Sequence, residues 1–215
     1  MSAYNNYCAL QKELSECAAK SGFDPNGIKV LAVTKNQSAQ VIKELYDAGL
    51  REFAENRINV LEEKMKVLDN DIVWHFIGKI QSNKVRKVLR AAKVIHSVDS
   101  LELLERIERI AKEEGVYPKL FIEVNVSGEE SKSGITIAEL DKLLAFPLEN
   151  SFVAGLMTMA PFDAADSELE QIFTTLKKTA DASGLKELSM GMSNDCRIAA
   201  ACGATTVRIG TSLFE

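Results

Sequence analysis

The sequence predicts a single α/β domain of the (β/α)₈ barrel class. Short strand-like segments, several of them apolar throughout, alternate with amphipathic segments along the chain, and we count eight strand candidates. This alternation is typical of βαβ crossovers and a parallel sheet. Several strand candidates are apolar throughout, as expected when helices cover both faces. Because no G-x-G-x-x-G follows the first strand, the open, doubly wound sheet is the less favoured alternative.

Each element is placed by its periodicity and its flanking residues. Residues 1–27 are predicted to form an amphipathic helix, over 4–20, and the lead-in to the first strand. The predicted strands are 29–35, 51–56, 72–78, 93–98, 119–127, 152–159, 187–192 and 205–210. The helices between them are predicted at 38–49, 57–68, 81–92, 100–115, 137–146, 167–183 and 193–203. Ser38 and Ser100 are predicted N-caps, and the whole chain, 1–215, is predicted to be one barrel domain.

Composition and charge exclude several classes of protein. A chain of 215 residues can bury a sufficient core without disulfides or a metal. The net charge of −5 argues against a general binder of nucleic acids or anionic membranes. The four cysteines have neither C-x-x-C nor zinc spacing, so no metal site is predicted. The chain shows neither a signal peptide nor an apolar run of ~20 residues. We therefore expect a cytoplasmic protein.

Polar residues at the carboxyl ends of the last two strands predict an anion site. Barrels often bind phosphate with the loops after strands seven and eight. Ser193 is predicted to cap the helix after strand seven. Gly210 lets the backbone approach an anion closely, and Thr211 adds a hydroxyl and an amide. The alternative is that Ser193 is only an N-cap and Gly210 only a turn residue.

Lys35 is predicted to end the first strand. A lysine there is either a surface residue or an amine that condenses with an aldehyde. A Schiff-base lysine on strand one and a phosphate site across the barrel would together fit pyridoxal 5′-phosphate (PLP).

Seven segments of the chain resemble one known family. They are AVTKN, FAENR, WHFIGKIQSNK, SGEESKSG, GLMTM, LSMGMSNDCRIAAACG and TTVRIGTSLF, in order over roughly residues 28–214. Together they resemble the YggS family of pyridoxal phosphate homeostasis proteins, also called the PROSC family. The resemblance implies an alanine racemase-type barrel, with PLP on Lys35 and its phosphate in the loops after strands seven and eight. Ala54 and Lys79 depart from the family's usual glycine and frequent proline.

The resemblance also implies that Arg208 approaches the pyridine nitrogen of PLP. A guanidinium can only donate, so it disfavours protonation of the ring and makes the ring a poor electron sink. The alternative is an ion pair of Arg208 with Glu55 or Glu123 inside the barrel. Asn56 either contacts the cofactor or simply finishes its strand. We favour core packing for the two histidines, His75 and His96.

The predicted function is to hold PLP as a lysine Schiff base and release it, without committed catalysis. We expect a monomer, with PLP-dependent apo-enzymes as recipients of PLP. One alternative is a racemase-like PLP enzyme, which needs acid/base groups on both faces of the substrate. We expect the racemases' second domain, with its tyrosine, to be absent, because the chain ends after strand eight. The other alternative is an aldolase-like barrel without PLP. For Lys132, we favour a solvent-exposed loop residue over a residue that helps move PLP.

Overall fold

Eight parallel strands close into a barrel in the computed structural model, which describes residues 2–129 and 132–215. Each strand pairs with the next along the chain, and β8 pairs with β1. The strands are β1 Lys29–Val33, β2 Glu52–Glu55, β3 Val73–Phe76, β4 Val94–Val98, β5 Lys119–Glu123, β6 Phe152–Met157, β7 Glu187–Ser189 and β8 Thr206–Ile209. This arrangement confirms the predicted barrel.

Helices alternate with the strands and cover the outside of the barrel. They are α1 Ala3–Lys20, α2 Ala39–Asp47, α3 Ile58–Met65, α4 Val85–Ala91, α5 Leu101–Glu114, α6 Leu140–Leu144, α7 Asp166–Ala182, α8 Cys196–Ala201 and α9 Thr211–Phe214. The hydroxyl groups of Ser38 and Ser100 accept hydrogen bonds from the first turns of α2 and α5, as predicted. The short α9 was not predicted.

Side chains of the strands alternate between the helix-covered face and the barrel interior. On β1, Val30 and Ala32 belong to the large core that packs against the helices. Leu31 and Val33 belong instead to a small inner cluster with Ala54. The two-residue period of a strand accounts for this division. It also identifies which polar residues face the interior.

Charged pairs occupy the amino end of the barrel interior. Lys29 and Glu52, the first residues of β1 and β2, lie 2.7 Å apart. Lys119 and Glu187, the first residues of β5 and β7, lie 2.6 Å apart. All four side chains are partly exposed, so these pairs lie where the barrel opens to solvent.

The strands end earlier than the sequence predicted. β1 stops at Val33 rather than Lys35, β5 at Glu123 rather than residue 127, and β7 at Ser189 rather than residue 192. After β1, Thr34 still bonds to β2, and the Gln37 amide then donates to the Thr34 carbonyl in a turn. The predicted strand-end residues therefore lie in the loops at the carboxyl end of the barrel. Inter-strand hydrogen bonds of Thr34, Val124 and Met190 continue for a residue past the assigned ends of β1, β5 and β7.

No helix of the described residues is long and apolar enough to cross a membrane. The same residues contain no cluster of three His, Cys, Asp or Glu side chains suited to a metal ion. All four cysteines are free thiols in this structure.

Candidate functional site

The loops after β7 and β8 meet at the carboxyl end of the barrel. The Ser212 amide donates to the Ser193 hydroxyl at 3.5 Å. Ser193 does not cap a helix, and that prediction was wrong. A turn intervenes, α8 begins at Cys196, and the Asp195 carboxylate accepts from the Met192 amide instead. Because Ser193 is not used by α8, its hydroxyl is left facing the loop after β8.

Gly210 precedes the short helix α9. A Cβ atom there would lie 3.6 Å from the Val33 carbonyl oxygen, which is ordinary contact. Its φ of −108° lies outside the left-handed region that favours glycine. The packing of the protein does not require glycine here, whereas a ligand approaching the backbone would. Thr211, the next residue, is exposed at this edge.

Lys35 lies in the turn after β1 and is exposed. The buried Lys64 ammonium stabilises this turn by donating to the Thr34 carbonyl at 2.6 Å. Arg57 donates to the Lys35 carbonyl at 3.4 Å. The Lys35 amine is therefore accessible from solvent, while its backbone is fixed on both sides.

The turn that contains Lys35 lies beside the loop after β8. β1 pairs with β8, so the turn after β1 is next to Gly210 and not on the opposite wall. The expectation of a phosphate site across the barrel from Lys35 was wrong. Strand order decides this, because closure of the barrel brings the first and last strands together.

Asn56 follows β2 and carries the one buried side-chain polar atom, among the described residues, that lacks a hydrogen-bond partner. That atom is Oδ1, an acceptor. Gly78, after β3, allows the backbones to pack closely here, since a Cβ at Gly78 would lie 2.0 Å from the Asn56 carbonyl oxygen. Buried polar groups normally have partners. An unpartnered acceptor at this end of the barrel is therefore a candidate ligand contact.

Arg208 projects into the barrel interior and is 4% exposed. Its guanidinium donates to the carbonyl and the hydroxyl of Ser189, at 2.6 and 2.7 Å, and to the Thr158 carbonyl at 2.8 Å. Burial lowers the pKa of Arg208 to about 10, and the nearby Asp195 and Glu123 oppose this shift. At neutral pH the guanidinium is therefore protonated and can only donate.

The alternative of an ion pair for Arg208 was wrong. Glu55 pairs with Lys64 on the outer side of β2, at 2.7 Å. Glu123 makes no salt bridge with Arg208 in the part of the chain that the structure describes. The two-residue period explains the first result, because Ala54 faces the interior and its neighbour Glu55 does not.

Glu123, named above only as an alternative partner for Arg208, is a buried acidic group of the barrel. It ends β5 and is 3% exposed. Burial raises its pKa to about 7, the Asp99 carboxylate adds to the shift, and Arg208 and Lys79 oppose it. The alternation of β5, in which Phe121 faces the interior, was the signal that could have placed Glu123 there.

Two remaining expectations concern the histidines and Lys132. His75 and His96 are buried, which confirms their place in the core, but they are also hydrogen-bonded to each other. Lys132 is partly exposed, and its amide donates to the Glu129 carbonyl at 3.1 Å.

Comparisons with a protein-family model and with named relatives indicate the same family. The model of the alanine racemase N-terminal domain matches residues 8–215. The pyridoxal phosphate homeostasis protein of Synechocystis is 41% identical over 202 residues, which cover 88% of this chain and 92% of that protein. The protein of that name from Aquifex aeolicus is 35% identical over 223 residues, covering 100% and 98%.

Solved structures agree in fold. PipY of Synechococcus elongatus, in its structure with PLP bound, is 38% identical with a TM-score of 0.81, covering 94% of this chain and 100% of that one. An alanine racemase of Clostridium difficile shares the fold at 16% identity and a TM-score of 0.71, covering 94% of this chain and 56% of that one. Lys35, Arg208 and Gly210 lie on this type of barrel near its carboxyl end. The family model and the relatives together show that the chain belongs to the pyridoxal phosphate homeostasis family, within the alanine racemase N-terminal domain group.

Proposed function

We propose that this chain binds PLP at the carboxyl end of the barrel and releases it, in pyridoxal phosphate homeostasis. The observation that carries the proposal is the adjacency of the exposed Lys35 amine to the meeting loops of Ser193 and Gly210. The relative named above as PipY has been solved with PLP bound, which supports the same ligand here.

The residues present fit PLP. Lys35 supplies the amine that forms a Schiff base with its aldehyde. Ser193, Gly210 and Thr211 hold the phosphate through hydroxyl and amide donors. The unpartnered Asn56 Oδ1 is available to accept a hydrogen bond from the cofactor. Bound PLP supplies an electrophilic carbon and an electron-withdrawing ring.

Arg208 supports a function in which the protein holds PLP without committed catalysis. We place its buried guanidinium at the pyridine nitrogen. Because a guanidinium only donates, that nitrogen stays unprotonated, and stabilisation of carbanions by the ring is weak. The relatives are named homeostasis proteins, which agrees with a role that is not enzymatic.

The tyrosines of the chain lie at the wrong end of the barrel for racemase chemistry. Tyr4 and Tyr7 line a cleft with the first residues of β1 and β2. Tyr46 lies under Arg51, which directly precedes β2, and Tyr117 stacks on the first residue of β6. All four tyrosines are thus at the amino end, and none of them can act as the acid or base opposite Lys35.

The wider role follows from the same features. We propose that residues 1–215 act as one PLP-binding domain and as a monomer. The accessible Lys35 amine suits transfer of PLP to PLP-dependent apo-enzymes. Four free thiols suit a reducing compartment, and we propose the cytoplasm.

Borohydride reduction followed by peptide mass mapping tests the proposal. We expect PLP to be fixed on the peptide that contains Lys35. Lys35→Arg keeps the positive charge but should show no fixed PLP, whereas the control Lys132→Arg should label normally. Fixation mainly on another lysine would refute the assignment of Lys35.

Turnover assays test the absence of committed catalysis. We expect PLP to pass from the protein to an apo-enzyme, with only slow, unselective racemisation. Racemase or transaminase turnover near ~10 s⁻¹ on a common amino acid would show an enzyme instead.

A further inference from the structure

A continuous chain of side-chain hydrogen bonds runs through the barrel interior from Arg208 to Glu52. Arg208 Nη1 lies 2.7 Å from Ser189 Oγ, and that oxygen lies 2.8 Å from His96 Nδ1. His96 Nε2 lies 2.9 Å from His75 Nδ1, and His75 Nε2 lies 3.0 Å from Glu52 Oε2. The chain connects the proposed cofactor site with the charged amino end of the barrel.

The direction of every hydrogen bond in this chain follows from its two ends. Hydrogen bonds from His75 and Lys29 lower the pKa of Glu52 to about 2, so at neutral pH its carboxylate only accepts. His75 must then carry its proton on Nε2. Burial lowers the pKa of both histidines, and that of His96 by a wide margin, so each ring is neutral with a single N–H.

The donor and the acceptor of each remaining hydrogen bond are then fixed. Because His75 Nδ1 is without a proton, it accepts from His96 Nε2–H. His96 Nδ1 is in turn an acceptor, and it receives the hydroxyl proton of Ser189. The Ser189 oxygen therefore presents its lone pairs to Arg208, which is protonated and only donates. No bond in the chain has two donors or two acceptors.

We propose that Glu52, His75 and His96 are positioning residues that act on the cofactor through Arg208. By fixing the Ser189 hydroxyl as an acceptor, they hold the guanidinium in one orientation beneath the site. The direction of the hydrogen bonds between Arg208 and Glu52 does not depend on the proposed function, but their effect on PLP does. Charge provides a further reason for the arrangement. Arg208 has no salt bridge among the described residues, and the aligned dipoles connect it to the Glu52 anion.

The series of hydrogen bonds from Arg208 to Glu52 is suited to holding the guanidinium in one orientation and not to transferring a proton. The pKa values of Arg208 and Glu52, about 10 and about 2, disfavour moving a proton from one to the other by about eight powers of ten. Neighbouring groups reinforce the fixed state. Lys29 donates to both oxygens of Glu52, at 2.7 and 2.8 Å. The Phe121 ring stacks on His96 with the ring centres 4.5 Å apart.

Imidazole nitrogen NMR of the protein without PLP tests the direction of the chain. The sequence has two histidines, so the spectrum contains four ring nitrogens. We expect both rings to be neutral at pH 7 and above, with the proton on Nε2. A cationic ring or an Nδ1–H form in this range would overturn the assignment. This measurement needs no variant and does not depend on PLP binding.

Glu52→Gln tests the role of the distant carboxylate, with Glu187→Gln as its matched control. Both remove a carboxylate that pairs with a lysine at the amino end of the barrel, but only Glu52 contacts a histidine. A glutamine at position 52 can also donate, so we expect a second tautomer of His75 to appear. The Glu187→Gln spectrum should match the wild type.

The effect on the cofactor is read from the absorbance of PLP-loaded protein as a function of pH. In Ser189→Ala and in Glu52→Gln we expect the spectral pKa to differ from that of the wild type, with Glu187→Gln unchanged. Unchanged titrations in both Ser189→Ala and Glu52→Gln would overturn the positioning role. If PLP does not bind at Lys35 in the wild type, the proposed function is refuted, and the NMR result is unaffected.

Discussion

The Lys64 ammonium lies 2.7 Å from the Glu55 carboxylate, and both side chains are buried between β2 and α3. The pair also holds the backbone on which the candidate site is built. Lys64 donates to the Thr34 carbonyl at 2.6 Å, directly before Lys35. The other Glu55 oxygen accepts from the Asn56 amide at 3.0 Å. One ion pair thus fixes the backbone at two proposed PLP contacts, directly before Lys35 and at Asn56 itself.

Replacement of Lys64 by methionine is expected to destabilise the protein strongly. Glu55 would be left buried without its partner, and breaking such a pair costs about 3–5 kcal/mol of unfolding free energy. Urea denaturation measures the change. The double variant Glu55→Met/Lys64→Met should recover most of the loss, because no isolated charge remains. A single variant within about 1 kcal/mol of the wild type would contradict this account.

Two glycine substitutions should separate folding from ligand binding. Gly78→Ala places a Cβ 2.0 Å from the Asn56 carbonyl oxygen, so we expect a loss of several kcal/mol of stability or displacement of Asn56. Gly210→Ala meets only ordinary contacts, and its unfolding free energy should change by less than about 1 kcal/mol. Its PLP affinity should nevertheless fall. Equal effects of the two variants on stability would contradict the prediction.

Thr211→Val is expected to weaken the binding of PLP but not of pyridoxal, which lacks the phosphate. A lost hydrogen bond to a charged group costs roughly 1.5–3 kcal/mol, or about a tenfold to a hundredfold change in Kd. The wild type should bind pyridoxal much more weakly than PLP. Titration by absorbance gives all four constants. If the variant weakens both vitamers equally, Thr211 does not contact the phosphate.

Glu123 should make stability fall as pH rises. Its pKa of about 7 lies above the usual 4.5, so folding favours the protonated form. That contribution is complete below about pH 4.5 and is lost as pH rises through 7. Its full size is about 3 kcal/mol by linkage.

Glu123→Gln should remove this dependence. Relative to the wild type, the variant should gain stability between pH 5 and pH 8, as measured by urea denaturation at each pH. Asp99→Asn removes the neighbouring carboxylate that raises the pKa of Glu123, and it should flatten the wild-type profile in part. Parallel profiles of wild type and Glu123→Gln would show that Glu123 is not buried as described.

Features that depend on neighbouring residues along the chain could be predicted from the amino-acid sequence. The alternation of periodicities predicted the barrel, and the hydroxyl groups of Ser38 and Ser100 start their helices where expected. N-capping is a contact between residues three apart, so local sequence predicted it at Ser38 and Ser100, although the same expectation failed at Ser193. The segments that resemble the family likewise pointed to Lys35 and Gly210, because each motif is a continuous run of residues.

The partners of the buried polar groups, in contrast, depend on the tertiary structure. Glu55 lies far from Arg208 along the chain, and the register of β2 and the position of α3 assign it to Lys64 instead. Likewise, the contact between His75 and His96 exists because β3 and β4 pair and both side chains face the interior. These partners are 9 to 21 residues apart. Burial favours a partner for nearly every polar group in the closed barrel, with Asn56 Oδ1 as the exception among the described residues, and that partner depends on the packing of the whole fold and not on local sequence.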